Sequence, residues 1–381
     1  MKKCIVISDS FKGTLSSQDI CGIALQSIPR FFPGCEVEAL PVADGGEGTV
    51  ECFVQAIQAR PVTVPVTGPY GEDIQAVYCR SGNRAVIEMA SAAGLPMVGE
   101  NRHAEKTTTF GVGQIIRHAV EQGCTELLLG LGGSCTNDGG CGCAAALGTK
   151  FFRENGEEFV PVGENLDQIA RIDSSGTKQL LEKVKITVMC DVDNPLHGPQ
   201  GAAYVFGPQK GADPAMVEFL DGQLKSLDTA IRRELGLSLG STPGAGAAGG
   251  MGAGCIAFLG AELKSGIEAV LDMVDFDSRL AGTDLVITGE GRIDGQSVRG
   301  KVISGIARRT QPRQIPLIAV VGGIGPGAEE AYDLGVTGVF GTDRQAAAFS
   351  EIAPLARENY QRTLEDILRL IRAMGPGGSP A

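Results

Sequence analysis

The strongest constraint on the fold is a recurring unit, a short apolar run that stops in a glycine-rich polar turn. Leu127 to Leu131 leads directly into Gly132-Gly133-Ser134-Cys135-Thr136-Asn137-Asp138-Gly139-Gly140. A continuous apolar run of this length is the pattern of a parallel strand buried on both faces, and the turn after it is where such a strand delivers a loop to a ligand crevice. The four glycines let backbone N–H groups approach an anion closely, while Ser134, Thr136, Asn137 and Asp138 offer oxygens to a substrate or a metal. The expectation is a phosphorylated ligand.

Composition narrows the classes that remain. At 381 residues, with 43% hydrophobic and 20% charged residues, the chain is long enough for two cores. Its 55 glycines fall in clusters after apolar runs, with no repeating period, as ligand loops would. A net charge of −12 repels polyanions at long range. Nucleic acid and anionic membranes are therefore not expected partners, and an anionic substrate must meet local positive charge. No run approaches transmembrane length and no charged leader precedes a long apolar segment, so the expected location is cytoplasmic. The eleven cysteines lie mostly in apolar stretches, as Cys4, Cys21, Cys52 and Cys190 do, which fits reduced core thiols. Cys141-Gly142-Cys143 lacks the two-residue gap of a zinc knuckle and reads as small residues packing a helix.

Along the chain, Lys3 to Asp9 predicts a strand, Ser16 to Ile28 a helix capped by Ser16 or Ser17, Cys35 to Val42 a second strand, and Thr49 to Gln58 a second helix. Val62 to Val66, Gln75 to Arg80 and Ala85 to Met89 predict strands joined by turns, so a domain boundary falls near Gly68. A helix is expected from Thr109 to Gln122, strands at Leu127, at Val184 to Cys190 and at Leu285 to Thr288, and an apolar helix over Cys255 to Leu263. Ile303 to Gly341 then returns to strand and helix alternation. The fold class is α/β, with residues 1–67 and 285–374 pairing into one parallel-sheet domain, 68–284 inserted as a second, and 375–381 a disordered tail.

Six further segments could carry chemistry. Asp9-Ser10-Phe11-Lys12 ends the first strand and presents a carboxylate, a hydroxyl and an ammonium together. Asp44-Gly45-Gly46-Glu47 takes the same place after the second strand; one such acidic loop is commonly a helix cap, but two, with the later acidic loops, suggest convergent ligand loops. Asp191-Val192-Asp193-Asn194 and Gly289-Glu290-Gly291-Arg292 follow later strands. Gly295 to Lys301 keeps the spacing of a phosphate-binding P-loop as far as the lysine, but Val302 stands where Ser or Thr would hold magnesium. Arg292 and Lys301 are then either phosphate contacts or surface charges. Gly244 to Gly249 spells a dinucleotide fingerprint without the strand before it, so close helix packing and a nucleotide phosphate site both stay open. With only three histidines, carboxylates are the better candidates for a general base, and the inventory of carboxylates, glycines and cations suits phosphoryl transfer.

These loops, with Phe206-Gly207-Pro208-Gln209-Lys210-Gly211-Ala212, occur in an order that resembles the type 1 bacterial glycerate kinases over essentially the whole chain. The resemblance implies ATP-dependent, magnesium-assisted phosphorylation of D-glycerate, typically at the 2-hydroxyl, in glyoxylate and sugar-acid catabolism. It also implies a discontinuous flavodoxin-like (Rossmann-like) domain, an inserted mixed α/β domain and an active site in the cleft between them. Asp191 or Asp9 would orient or deprotonate the attacking hydroxyl, with Lys12, Lys210 or Arg292 neutralising the substrate carboxylate and the transferring phosphoryl group. Ser10, Asp44, Gly45, Gly46, Glu47, Gly132, Gly133, Ser134, Thr136, Asn137, Asp138, Asn194, Gly289, Glu290 and Lys301 would contact substrate or phosphate. Asp191 and Asp193 would hold the metal, and a homodimer is possible. The alternatives are a kinase yielding 3-phosphoglycerate or acting on another hydroxy acid, and a non-catalytic sensor on the same scaffold. Ser8, Cys135 and Ile303 depart from the family pattern without removing a charged group.

Overall fold

The computed structural model describes residues 1–42, 54, 59–295, 301–345 and 347–375. Among them the strands of the two main sheets are, in chain order, β1 (Lys3–Ser8), β2 (Glu36–Pro41), β3 (Arg60–Thr67), β4 (Asp73–Ser81), β5 (Arg84–Glu88), β6 (Glu126–Gly130), β7 (Lys185–Met189), β8 (Glu262–Lys264), β9 (Leu285–Gly289), β10 (Leu317–Val321) and β11 (Gly338–Gly341). The chain divides into two compact units, one holding the described residues of 1–44 and 270–381, the other most of those between.

In the first unit all five strands are parallel, in the order β11-β10-β9-β1-β2. Ile5, Val6 and Ile7 pair with Val286, Ile287 and Thr288. Every residue of Cys4–Ser8 and of Leu285–Gly289 is buried, which a strand achieves only when both faces of its sheet are covered. On one face, Cys4, Val6, Leu285, Ile287, Ile318 and Val320 pack against Ile20, Ile23 and Ile28 of the helix Ser17–Phe31 and against Tyr360, Leu364 and Leu368 of the helix Ala356–Met374. Ser16 caps the first of these helices in a capping box with Asp19. Buried Ser17 ties the two strand ends on either side of it, donating to Ser8 O at 2.6 Å and accepting from Val42 N at 2.9 Å.

The second unit has a six-stranded sheet in the order β8-β7-β6-β5-β4-β3, parallel from β8 to β5 and antiparallel thereafter. The strand Arg60–Thr67, grouped by sequence pattern with the first 67 residues, is hydrogen-bonded to β4 in this sheet. Glycine allows the helix Phe110–Glu121 to lie directly on the helix Cys141–Leu147, because a Cβ on Gly113 would collide with Cys143 O. The apolar helix expected over Cys255 to Leu263 instead spans Ala247–Leu259, and 262–264 form β8. The stop is Gly260, left-handed at φ 64, whose N–H returns to Cys255 O. Cys141 and Cys143 are fully buried in their helix, and burial raises both thiols well above their ordinary range. Among the described residues no cluster of three metal-ligating side chains occurs, and no helix is long and apolar enough to cross a membrane.

Candidate active site

In the first unit the loops after β1, β9 and β10 pack on one another. Asp9 N donates to Gly289 O at 2.9 Å, Gly322 N to Glu290 O at 3.1 Å and Gly323 N to Gly291 O at 3.0 Å. The Asp9 carboxylate turns back to accept Ser10 N at 2.6 Å, while Phe11 and Leu15 close a tight loop that leaves Lys12 exposed. Gly289 is required by close approach, since a Cβ there would collide with Val320 O. Glu290 is buried, whereas the Arg292 side chain is two-thirds exposed, 3.9 Å from Asp294. Lys301 stands exposed at the N-terminal end of the helix Val302–Thr310. Asp44, Gly45, Gly46 and Glu47 lie outside the described residues, as do the tail beyond Gly375 and the P-loop-like stretch 296–300.

In the second unit the glycine-rich turn after β6 is mostly internal. Only Gly132 and Gly133 have appreciable exposure; Ser134 through Gly140 are buried. Asp138 is fully enclosed and accepts four hydrogen bonds, from Thr109 N and Thr109 Oγ1 at 2.8 Å each, from Gly140 N at 3.1 Å and from Gly142 N at 3.2 Å. Burial pushes its carboxyl above the usual carboxylate range, against the pull of those donors. Lys210 is 2% exposed, and its ammonium donates to Ser134 Oγ at 2.9 Å and Thr136 O at 2.7 Å. Burial lowers its pKa to about 8. Thr136 Oγ1 and both amide atoms of Asn137 are buried with no hydrogen-bond partner among the described residues, the mark of a site whose waters or ligand complete it.

The next parallel strand, β7, ends beside this loop, with Met189 in register with Gly130. Beyond it Asp191 and Asp193 are exposed, and Asp191 Oδ1 accepts Gly266 N at 2.8 Å. Asn194 is half-buried and donates through Nδ2 to Gln200 O at 2.8 Å. Asp191 and Asp193 offer exposed carboxylate oxygens, the donor type magnesium takes, and among the described residues no third ligating side chain joins them.

The segment Gly244 to Gly252 backs both loops. A Cβ on Gly246 would collide with Pro195 O and one on Gly249 with Thr136 O. Three consecutive residues, Ala248, Gly249 and Gly250, are left-handed at φ 54, 70 and 88, and Gly139 N donates to Gly249 O at 3.1 Å. Backbone packing thus accounts for these glycines.

Sequence reasoning passed over Glu88. It is 8% exposed at the end of β5 and in register with Gly130, and the signal available was an acid closing an apolar strand. His197 sets Nε2 3.7 Å from Asp228 Oδ2, on a carboxylate that also accepts Arg232 Nη2 and Leu239 N.

Both sheets therefore present polar loops at the carboxyl ends of parallel strands, as α/β enzymes of small phosphorylated ligands do. A profile described as the glycerate kinase family matches residues 4–372. The glycerate kinase of Bacillus cereus is 42% identical over 96% of this chain and 97% of its own length. The glycerate 2-kinase of Escherichia coli is 41% identical over 96% of this chain and 97% of its own. A crystal structure of a candidate glycerate kinase 2 from Salmonella typhimurium superposes with a TM-score of 0.86 at 40% identity, covering 98% of each chain. The chain belongs to the glycerate kinase family.

Proposed function

We propose that the chain transfers the γ-phosphoryl group of ATP to the 2-hydroxyl of D-glycerate, giving 2-phosphoglycerate and ADP. Family membership makes it a glycerate kinase, and the observation that carries the finer reading is the near full-length match to a relative named glycerate 2-kinase. The order of the first unit's strands, 2-1-3-4-5 in their own sequence, supports a flavodoxin-like domain whose ligand crevice opens at its first and third strands, β1 and β9.

Within that reading, Asp191 takes the proton of the glycerate hydroxyl or aligns it for attack, with Asp9 as the alternative base. Lys12 and Arg292, exposed on strand-end loops, neutralise anionic oxygens of the substrates, and the exposed Gly132-Gly133 turn seats a carboxylate or phosphate on backbone N–H groups. Ser10, Asn194, Glu290 and Lys301 are assigned to the same loops as secondary contacts. Asp191 and Asp193 would hold magnesium, which when bound offsets charge on the ATP phosphates.

The test is incubation of purified protein with D-glycerate, ATP and magnesium, coupled through enolase and pyruvate kinase without phosphoglycerate mutase. Only 2-phosphoglycerate feeds enolase directly, so an immediate signal is expected. A signal that appears only after mutase is added would assign the 3-hydroxyl instead, and silence under both conditions would remove D-glycerate as the substrate.

A further inference from the structure

We propose that Lys210 is a positioning residue that works from inside the protein, holding the Gly132–Thr136 turn through Ser134 and Thr136 and supplying the charge that draws a substrate anion onto the exposed Gly132-Gly133 turn. The inference deepens the phosphotransfer reading and rests on it.

The ammonium has three donors, and two go to neutral oxygens, Ser134 Oγ and Thr136 O. The carboxylate that acts on it is Asp138, through space and not through a hydrogen bond among the described residues. Its own backbone is fixed: Lys210 N bonds Gly207 O at 2.9 Å, Ala212 N bonds Gly207 O at 3.1 Å, and the Arg102 guanidinium grips Gln209 O at 2.9 Å. A buried ammonium whose hydrogen bonds go to neutral oxygens, and whose facing carboxylate, Asp138, already accepts four other donors, is costly unless a further negative charge completes it. Directly above its partners, Gly133 is left-handed at φ 71, and among the described residues the N–H groups of Gly132, Gly133 and Ser134 bond no acceptor. Unused N–H groups around a left-handed glycine form an anion seat, and the buried cation beneath gives it long-range pull.

The charged and titratable groups facing Lys210 are Cys135 and Asp138 of the same loop, with Arg102 against its backbone and Asp213 capping the helix Pro214–Leu235 three residues on. Burial pushes the Cys135 thiol up to about 12, so it stays neutral through the range that matters. Burial holds Lys210 near 8, below the 10.5 of an ordinary lysine. Between those values the unfolded chain carries the extra proton, so folding stability rises with pH. Anion affinity moves the opposite way, because the cation that attracts the anion is lost. Stability and affinity with opposite slopes on pH separate this role from simple alkaline unfolding.

The experiment measures KM for D-glycerate and for ATP from pH 6.5 to 9.5, with thermal melts, in the wild type and in Lys210→Met, which keeps the buried volume and removes the charge. In the wild type, KM for one substrate is expected to climb above pH 8 and level off at about tenfold its value at pH 7, with kcat changing less. D-glycerate responding places a carboxylate on the seat, and ATP responding places a phosphate there. Lys210→Met should show KM raised about tenfold at pH 7, no alkaline climb, and a melting temperature equal to or above wild type. An unchanged KM at pH 7, or an alkaline climb that survives in Lys210→Met, overturns the proposal. Should that variant not fold, calorimetry of ATP and of D-glycerate binding to the wild type at pH 8.5, in buffers of different ionisation enthalpy, decides instead: proton uptake with either ligand supports the role and none with both overturns it. Failure of the wild type to phosphorylate D-glycerate would count against the substrate assignment, while proton uptake with ATP would still decide for Lys210.

Discussion

The loop after β6 and the loop after β1 both follow parallel strands buried on their sheets, yet one is folded inward and the other outward. Ser134 to Gly140 is buried and anchored by Asp138 and Lys210, whereas Lys12 stands exposed on a loop closed by backbone bonds between Phe11, Thr14 and Leu15 and by the Thr14 hydroxyl on Phe11 O. An inward loop presents backbone dipoles fixed before a ligand arrives; an outward loop presents a charge on a flexible stem. Substitutions should therefore separate by direction. Residues facing solvent should change turnover or affinity and leave the fold, and residues facing the protein should change the fold first, apart from Lys210, whose buried charge acts on the loop surface.

Asp191→Asn should have the largest effect. The side chain is exposed, so the melting temperature should stay within about 2 °C of wild type while kcat falls about 10²- to 10⁴-fold, the contribution expected of a positioned base. Steady-state kinetics beside a thermal melt check both halves, and undiminished turnover would exclude Asp191 as base or metal ligand. Asp138→Ala should come next and act the opposite way. Four donors lose their acceptor, at a cost of about 3 kcal/mol in stability, read by chemical denaturation. If Asp138→Ala unfolds normally but loses substrate binding, the carboxylate serves the ligand and the inward assignment is wrong.

That assignment shows what sequence could and could not convey. The strand positions were legible because apolar runs such as Cys4 to Ile7 and Leu285 to Ile287 are buried on both faces, which no surface strand tolerates. The existence of the glycine-rich loop was legible for the same reason. Its direction was not. Asp138 looked like a ligand oxygen because its partner Thr109 lies 29 residues earlier and enters only through the tertiary fold. Lys210 likewise read as a substrate contact, when its measurable partners are Ser134 and Thr136, more than 70 residues away. The Gly244 to Gly249 stretch matched a nucleotide fingerprint because backbone approach to a phosphate and backbone approach to another backbone call for the same residue. The long helices Pro214–Leu235 and Ala356–Met374 carry many charges, and their buried stripes emerge only against the rest of the fold.

Lys12→Ala tests the outward loop. With the ammonium exposed and no ion pair recorded for it among the described residues, stability should change by less than about 0.5 kcal/mol. KM for one substrate should rise about tenfold, equivalent to about 1.4 kcal/mol of lost binding. A fall in stability with unchanged KM would make Lys12 a structural residue and erase the contrast between the two loops.

The smallest effect should come from Ser16→Ala, at the junction between the outward loop and the helix that follows it. Ser16 Oγ accepts Asp19 N at 3.0 Å, and Asp19 Oδ2 accepts Ser16 N at 3.2 Å, so the change removes one half of a capping box and about 1 kcal/mol of stability. The hydrogen bond from Ser16 is also the main cause that holds the Asp19 carboxyl below its usual range, with Arg357 adding to it. A depressed carboxyl contributes stability above its unfolded pKa and loses it as pH falls through the folded value. The Ser16→Ala protein should accordingly lose less stability on acidification than wild type, by a small margin because Asp19 is largely solvated. Its KM and kcat should match wild type, since the helix remains held by Ser17, Ile20 and Ile23 in the core. A changed KM would mean that the cap fixes the geometry of Asp9 to Gly13, so that the outward loop is as much a prebuilt structure as the inward one.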